Sequence, residues 1–221
     1  LPPDINLSAP LFGLYKNNTT KQIIFAIGGL KNISIGLGQA IIDERAKAGN
    51  FKNIFDFTER IPGRLLNRRA LENLIKAGAF DKLHDNRQQL LKSVEIILAH
   101  ASNYHRDQQS NQYSLLSLTE HTNYPDLINC SDFSNDDKAM LEYDAMGFFL
   151  ASHPLAGYEN ILQNITSSID LKETLPEGSH NLKLAGIVQT KDSRMSARGR
   201  FVTMQLSDAF GIFEVTIFNE D

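Results

Sequence analysis

Chemistry in this chain would have to come from carboxylates, histidines or cations at useful spacings. Two-metal phosphoryl chemistry needs carboxylates that hold two ions a few ångströms apart. Adjacent acidic pairs within the chain include Asp43-Glu44 and Asp136-Asp137. The first falls in a surface helix beside Arg45 and Lys47 and the second at a helix start, so neither resembles such a site. Six histidines are scattered. His100 and His105, in a helix and at its end, read as surface residues, and His153 in ASHPL is assigned no chemistry. No glycine-rich phosphate loop precedes a helix, and no Ser/His/Asp or Cys/His set stands out. What remains is binding: Arg64, Arg68, Arg69 and Lys76 gather around one helix, and a second basic run, SRMSARGR, spans 193–200.

The charge is divided along the chain. Residues 21–106 carry 14 Lys+Arg against 8 Asp+Glu, and the rest carry 8 against 18. A basic first half followed by an acidic remainder suggests that one part faces phosphate. No run of about eighteen apolar residues exists, so a membrane span is not expected. The start, LPPDINLSAP, lacks the pattern of a signal peptide. A chain that begins at leucine and stops inside a strand-like pattern reads as an excised fragment. One cysteine, Cys130, allows no internal disulfide and fits a reducing cytoplasm.

The elements that would position these residues can be read from period and caps. Residues 1–20 should be extended or turn-like, and from Ile23 the pattern becomes helical. A helix is predicted over 35–48, with Ser34 as N-cap and Gly49 as a left-handed stop. A second runs from about Arg68 to Ala77 between Asn67 and Gly78. Their ends repeat, KAGNF at 47–51 recurring as KAGAF at 76–80, which supports a duplicated helical unit. A third helix is predicted from about Asn86 to Tyr104, carrying Leu90, Leu91, Val94, Ile97 and Leu98. Residues 105–135 are polar and without period, a linker or long loop. A helix follows from Asp136 to Leu150. From Leu182 the runs LKLAGIVQTKD, RFVTMQLSDAF and IFEVTIFNE predict three strands, with Asp208 starting a turn and Phe213, Val215 and Ile217 facing a core.

Several segments resemble known modules. FAIGGLKNISIGLGQAIIDERAKAGNF (25–51) and LENLIKAGAFD (71–81) resemble a tandem helix-hairpin-helix region. QYSLL (112–116) looks like the peptide by which bacterial replication proteins hold the sliding clamp. LEYDAMGFFLASHPLAGY (141–158) resembles the segment leading into an OB domain. In this order they resemble the C-terminal region of the bacterial replicative polymerase family, the alpha subunits of DNA polymerase III. The resemblance covers nearly the whole chain.

It implies an α+β multidomain fragment: an extended lead-in (1–20), an all-α tandem helix-hairpin-helix domain (21–104), a polar linker with the clamp peptide (105–135), a connecting helical segment (136–178) and a truncated OB-fold (179–221). Such hairpins hold duplex backbone through main-chain N–H groups at a helix N-terminus. Here the turn is Lys31-Asn32-Ile33-Ser34, without the family's two glycines. With Arg64, Arg68, Arg69 and Lys76, these residues are the expected duplex contacts. For the clamp, Gln112 would hydrogen-bond the pocket, Leu115 and Leu116 would fill an apolar cleft, and Tyr113 and Ser114 would complete the peptide. Single-stranded DNA would meet Lys191, Arg194, Arg198, Arg200 and Phe201 of the OB portion. Other replisome subunits are further expected partners. The implied activity is that of a DNA-directed DNA polymerase whose catalytic site, with its magnesium, lies outside this chain. No cofactor is expected within it. A non-catalytic scaffold built from the same modules, or a related error-prone polymerase, is the alternative.

Overall fold

The phenylalanines that close the KAG repeat organise the helical half. The computed structural model describes residues 1–16, 21–109, 124–150, 153–158, 160–163, 165–173, 181–196 and 199–218. They divide into two compact units, Leu1–Ala151 and Ser152–Asp221. In the first, helix α1 (Ile35–Ala48) and helix α3 (Arg68–Lys76) each end near a glycine of positive φ, Gly49 at 77° and Gly78 at 78°. Glycine adopts this conformation without the Cβ penalty. Gly49 combines it with an extended ψ of −171°, in place of the left-handed helical stop expected. Two residues beyond each glycine come Phe51 and Phe80, both 1% exposed. Between them lies Phe57, edge-on to each with ring centroids 5.1 Å apart. The repeat is thus a pair of helix stops that set equivalent rings against one central ring.

Phe57 belongs to helix α2 (Ile54–Arg60), which the sequence reading missed. Seven residues are too few to display a helical period. Its cap was nevertheless visible: Asn53 Oδ1 accepts from the N–H groups of Phe55 and Asp56, each at 2.9 Å. The caps that were foreseen form as expected. Ser34 Oγ accepts from Leu37 N at 3.1 Å and Asn67 Oδ1 from Ala70 N at 2.9 Å.

Three expectations are corrected. The helical pattern expected from Ile23 is instead a hairpin strand. Strand β1 (Gly13–Lys16) pairs antiparallel with β2 (Lys21–Ile24), and a short 3-10 turn follows at Ile27–Gly29. The four consecutive buried residues Ile24 to Ile27 follow neither a helical nor a strand period, which is why the apolar run resembles a helix. The N-terminal arm covers them, with Phe25 N donating to Leu1 O and Ile27 N to Ala9 O. The long third helix is two, α4 (Arg87–Lys92) and α5 (Val94–Gln109), divided at buried Ser93. The Ser93 hydroxyl accepts from Ile128 N at 2.8 Å, so the break serves a crossing segment. Helix α6 (Asn135–Met146) ends at Gly147, φ 89°, four residues earlier than expected.

The crossing segment carries a further finding. Residues 124–134, read as the downstream end of a linker, lie on the first unit. Tyr124 stacks on Phe55 at 4.7 Å, Asn86 Nδ2 donates to Cys130 O, and Gln88 N donates to Asp132 Oδ1. Helix α6 then packs on α3. The contact is sealed by Arg87, whose guanidinium is 6% exposed and reaches Asp81 Oδ2 at 2.7 Å, Glu142 Oε1 at 2.9 Å and Lys76 O at 3.1 Å. Burial opposes its charge, but the two carboxylates outweigh that and hold its pKa above the ordinary value.

The second unit is an antiparallel meander of β3 (Ile187–Ser196), β4 (Gly199–Ser207) and β5 (Ile212–Phe218), with a short helix α7 (Ser168–Glu173) ahead of it. The chain is therefore α+β, a helical region followed by three strands, as the sequence implied. Asp208 does start the turn, accepting from Phe210 N and Gly211 N at 2.9 Å. It also receives the Ser168 N–H and hydroxyl, each at 2.6 Å, which fixes the start of α7. Phe213 and Val215 are half-buried, while Ile217, expected in a core, is 51% exposed.

Candidate nucleic-acid interface

At the first hairpin the chain solves the missing-glycine problem with Asn32. Its φ of 62° makes it the only non-glycine residue of positive φ among those described. Asparagine is one of the few side chains that enters this region readily. The turn is held from behind: Lys31 N donates to Ala145 O at 2.9 Å, and Lys31 O accepts from Asn73 Nδ2 at 2.6 Å. Ile33, half-buried, packs against the core and its N–H donates to Leu30 O. Lys31 thus contributes its side chain, while its own backbone groups serve the scaffold. Ser34 is occupied by the cap. Beyond it Ile35 and Gly36 begin α1, where helix geometry supplies no internal acceptor for their N–H groups, and both residues are exposed.

The second hairpin joins α2 to α3 through Pro62, Gly63, Arg64 and Leu65. Arg64, Arg68 and Arg69 are all exposed there. Arg68 is engaged by Glu72, at 2.7 Å, and by Glu95 of α5; the hydrogen bond to Glu72 is the largest reason its pKa stands above the ordinary value. Asn67 satisfies Ala70 N, which leaves Arg68 and Arg69 as the first helical N–H groups. The two hairpins abut: a Cβ built on Gly36 would lie 3.7 Å from Leu65 Cδ2. Two capped helix N-termini, each with positive dipole character, therefore stand side by side.

The structure regroups the expected cations. Lys76 does not join Arg64, Arg68 and Arg69; it lies at the other end of α3, roughly 12 Å along the axis. There Lys76 Nζ meets Asp144 Oδ2 of α6 at 2.5 Å. That hydrogen bond first, and the charges of Lys76 and Lys31 after it, hold the Asp144 carboxyl below its usual range. A single carboxylate thus serves two cations, one from each hairpin unit.

The single-strand set is not brought together. Strand pairing places Arg194, Phe201 and Phe218 in one row across the sheet, with the two rings 5.8 Å apart. Lys191 and Arg200 stand at positions of the opposite face, Lys191 opposite Met204 and Arg200 opposite Met195. Arg194 is held by Asp192, and Arg200 Nε by Ser193 Oγ. Arg198 lies outside the described residues, as do Gln112, Tyr113, Ser114, Leu115 and Leu116.

His100 is a correction: it is half-buried, with Nε2 2.7 Å from Glu59 Oε1 and its ring edge-on to Phe55. His153 Nε2 lies 3.0 Å from Ser207 Oγ, and burial lowers its pKa against the pull of Asp208. Among the described residues no group of three or more His, Cys, Asp or Glu is placed to hold a metal, and no helix is long and apolar enough to cross a membrane.

Comparison with known proteins agrees with this geometry. Residues 1–90, which contain both hairpins, match the family model for the helix-hairpin-helix motif. DNA polymerase III subunit alpha of Rickettsia felis is 46% identical over 202 residues, covering 90% of this chain. The same subunit of Caulobacter vibrioides is 32% identical over 96% of the chain, and that of Thermus aquaticus 32% identical over 99%. The chain spans 17–18% of the length of these relatives. It is therefore homologous, across nine-tenths or more of its residues, to one segment of the DNA polymerase III alpha subunit, and its first 90 residues match the helix-hairpin-helix motif.

Proposed function

We propose that this chain is the part of a replicative DNA polymerase that grips product duplex and ties the enzyme to its sliding clamp. The observation that carries the duplex reading is the pair of abutting hairpins, with the α1 and α3 N-termini side by side and Arg64, Arg68 and Arg69 around the second. Neighbouring helix N-termini suit successive phosphates and read no sequence. Lys31 and Lys76 add charge at the first hairpin once Asp144 yields. DNA synthesis itself, with its magnesium, belongs to the remainder of the polypeptide that the relatives possess. Among the described residues of the second unit, the row Arg194, Phe201 and Phe218 is the platform that single-stranded DNA would meet.

Gln112–Leu116 is the clamp peptide of this reading. The described residues on either side support display from the first unit: α5 leads into the segment, and Tyr124 fastens the chain again on Phe55 and His100. Two buried leucines at roughly 1.5–3 kcal/mol each, less the cost of ordering, make a modest contact that the Gln112 hydrogen bond supplements. Two modest contacts, to clamp and to duplex, reinforce each other through effective concentration.

Two titrations test the reading. The chain should bind a labelled duplex without sequence preference and with steep salt dependence, and Arg68→Glu with Arg69→Glu should weaken it. A labelled peptide of residues 107–121 should bind the cognate sliding clamp, and Gln112→Ala with Leu115→Ala and Leu116→Ala should abolish this. Unchanged affinity and salt slope in the arginine variant would remove the duplex assignment; no clamp binding would remove the tether.

A further inference from the structure

Beside the second hairpin runs a groove of 520 Å³ whose far wall is the C-terminal half of α5. That helix begins at Val94, beyond the residues 1–90 that match the hairpin motif. The floor is apolar, formed by Leu66, Leu98 and Ala101, and the rim carries Arg68 on one side and His105 and Arg106 on the other. Gly63, at the hairpin tip, lines one end, where a Cβ would come into ordinary contact with the His105 ring at 3.6 Å. Both walls are fixed. His105 Nε2 lies 3.2 Å from Thr58 O, and since a carbonyl only accepts, this nitrogen carries the hydrogen and ties α5 to α2. Arg106 Nη2 donates to Asn103 Oδ1 at 2.9 Å, using one of the five N–H donors of its guanidinium. The acidic neighbours are Glu72 and Glu95, both engaged by Arg68, and Asp107, which follows Arg106 in the sequence.

An apolar floor under a cationic rim matches a sugar-phosphate, which presents the edge of a deoxyribose and an anion together. We propose that the strand held at the second hairpin continues along this groove, where Arg106 contacts its next phosphate. The duplex surface then extends past the motif onto α5. This inference rests on the duplex reading above and adds to it a contact that the hairpins do not supply.

The test is salt-dependent binding of a short labelled duplex to the 221-residue chain and to three variants, with circular dichroism as the check of folding. Arg106→Glu should weaken binding about fivefold and lower the salt slope by about one. Ser102→Trp, which fills the groove from α5 without altering charge, should weaken it by a similar factor. Arg69→Glu reports the hairpin alone. Arg106→Glu and Ser102→Trp that bind as the parent does, beside a weakened Arg69→Glu, would overturn the groove and leave the hairpin reading standing. A parent chain that binds no duplex overturns both. Should Arg106→Glu fail to fold, Ser102→Trp decides alone.

Discussion

Replacing Arg87 with methionine removes the one cation that joins α4, the α3 terminus and α6. Glu142, its partner on α6, is 2% exposed. Removing one member of a buried pair leaves a charge in low dielectric and costs about 3–5 kcal/mol. Replacing the pair with apolar residues is far milder. In Arg87→Met with Glu142→Leu, the losses include the hydrogen bond to Lys76 O, about 1 kcal/mol, and the contact to Asp81, whose side chain is 43% exposed and keeps its water. The double variant should therefore be about 1–2 kcal/mol less stable than the parent, against about 4 kcal/mol for Arg87→Met. Urea denaturation with linear extrapolation measures both. Amide exchange supplies a local readout, because Lys31 N donates to Ala145 O of α6. In Arg87→Met that amide should exchange faster, and in the double variant return toward the parent rate. A double variant as unstable as Arg87→Met would refute the view that a buried unbalanced charge, and not lost packing, sets the cost.

Three further outcomes are expected. Asp144→Asn frees Lys76 from its ion pair, removes a negative charge near Lys31 and should tighten duplex binding a few-fold at low salt, as read by fluorescence polarisation. The repeat glycines should both resist alanine: at Gly49 the cost is backbone strain alone, about 1–3 kcal/mol for a positive φ with an extended ψ, since no atom lies within 4 Å of its Cβ position. Alanine at Gly78 would in addition overlap the Arg87 guanidinium and Asp81, so thermal denaturation should rank it clearly below Gly49→Ala. For pH, burial alone would raise the Asp208 carboxyl, but the hydrogen bonds from Ser168, Phe210 and Gly211 outweigh it and hold the pKa below the usual range. The stability it confers is thus complete above about pH 4 and lost as pH falls through the lowered value; the amide shifts of Phe210 and Gly211 should follow that titration.

The parts legible from sequence were those governed by local chemistry. Ser34 and Asn67 announce helices because a side-chain oxygen there satisfies an N–H that the helix cannot, and the alternating runs after Leu182 announce strands. What was hidden depended on distant partners. The break at Ser93 follows from Ile128, the burial of four residues in a row from the arm at Leu1, and the meaning of KAG-x-Phe from a third ring, Phe57, outside the repeat. Of the candidate site, residue types at the hairpins were readable, but their grouping was not. Lys76 looks like a companion of Arg68 and Arg69 until α6 places Asp144 against it. The groove on α5 gave no sequence signal, because Ser102, His105 and Arg106 form no motif and acquire a role only opposite Gly63.

The return of residues 124–150 to the first unit has a consequence for cleavage. A backbone cut between Gln109 and Tyr124 would open the chain without parting it. The downstream piece would remain seated through the Tyr124 ring stack, the Ser93–Ile128 and Asn86–Cys130 bonds and the buried Arg87–Glu142 pair. Two fragments that co-elute, and that re-form from separately produced halves, are the behaviour such an architecture permits. The closing entropy that the intact connection saves grows only with the logarithm of its length, about 0.6 kcal/mol for each doubling. The number of residues between Gln109 and Tyr124 can therefore change with little effect on the fold on either side of them.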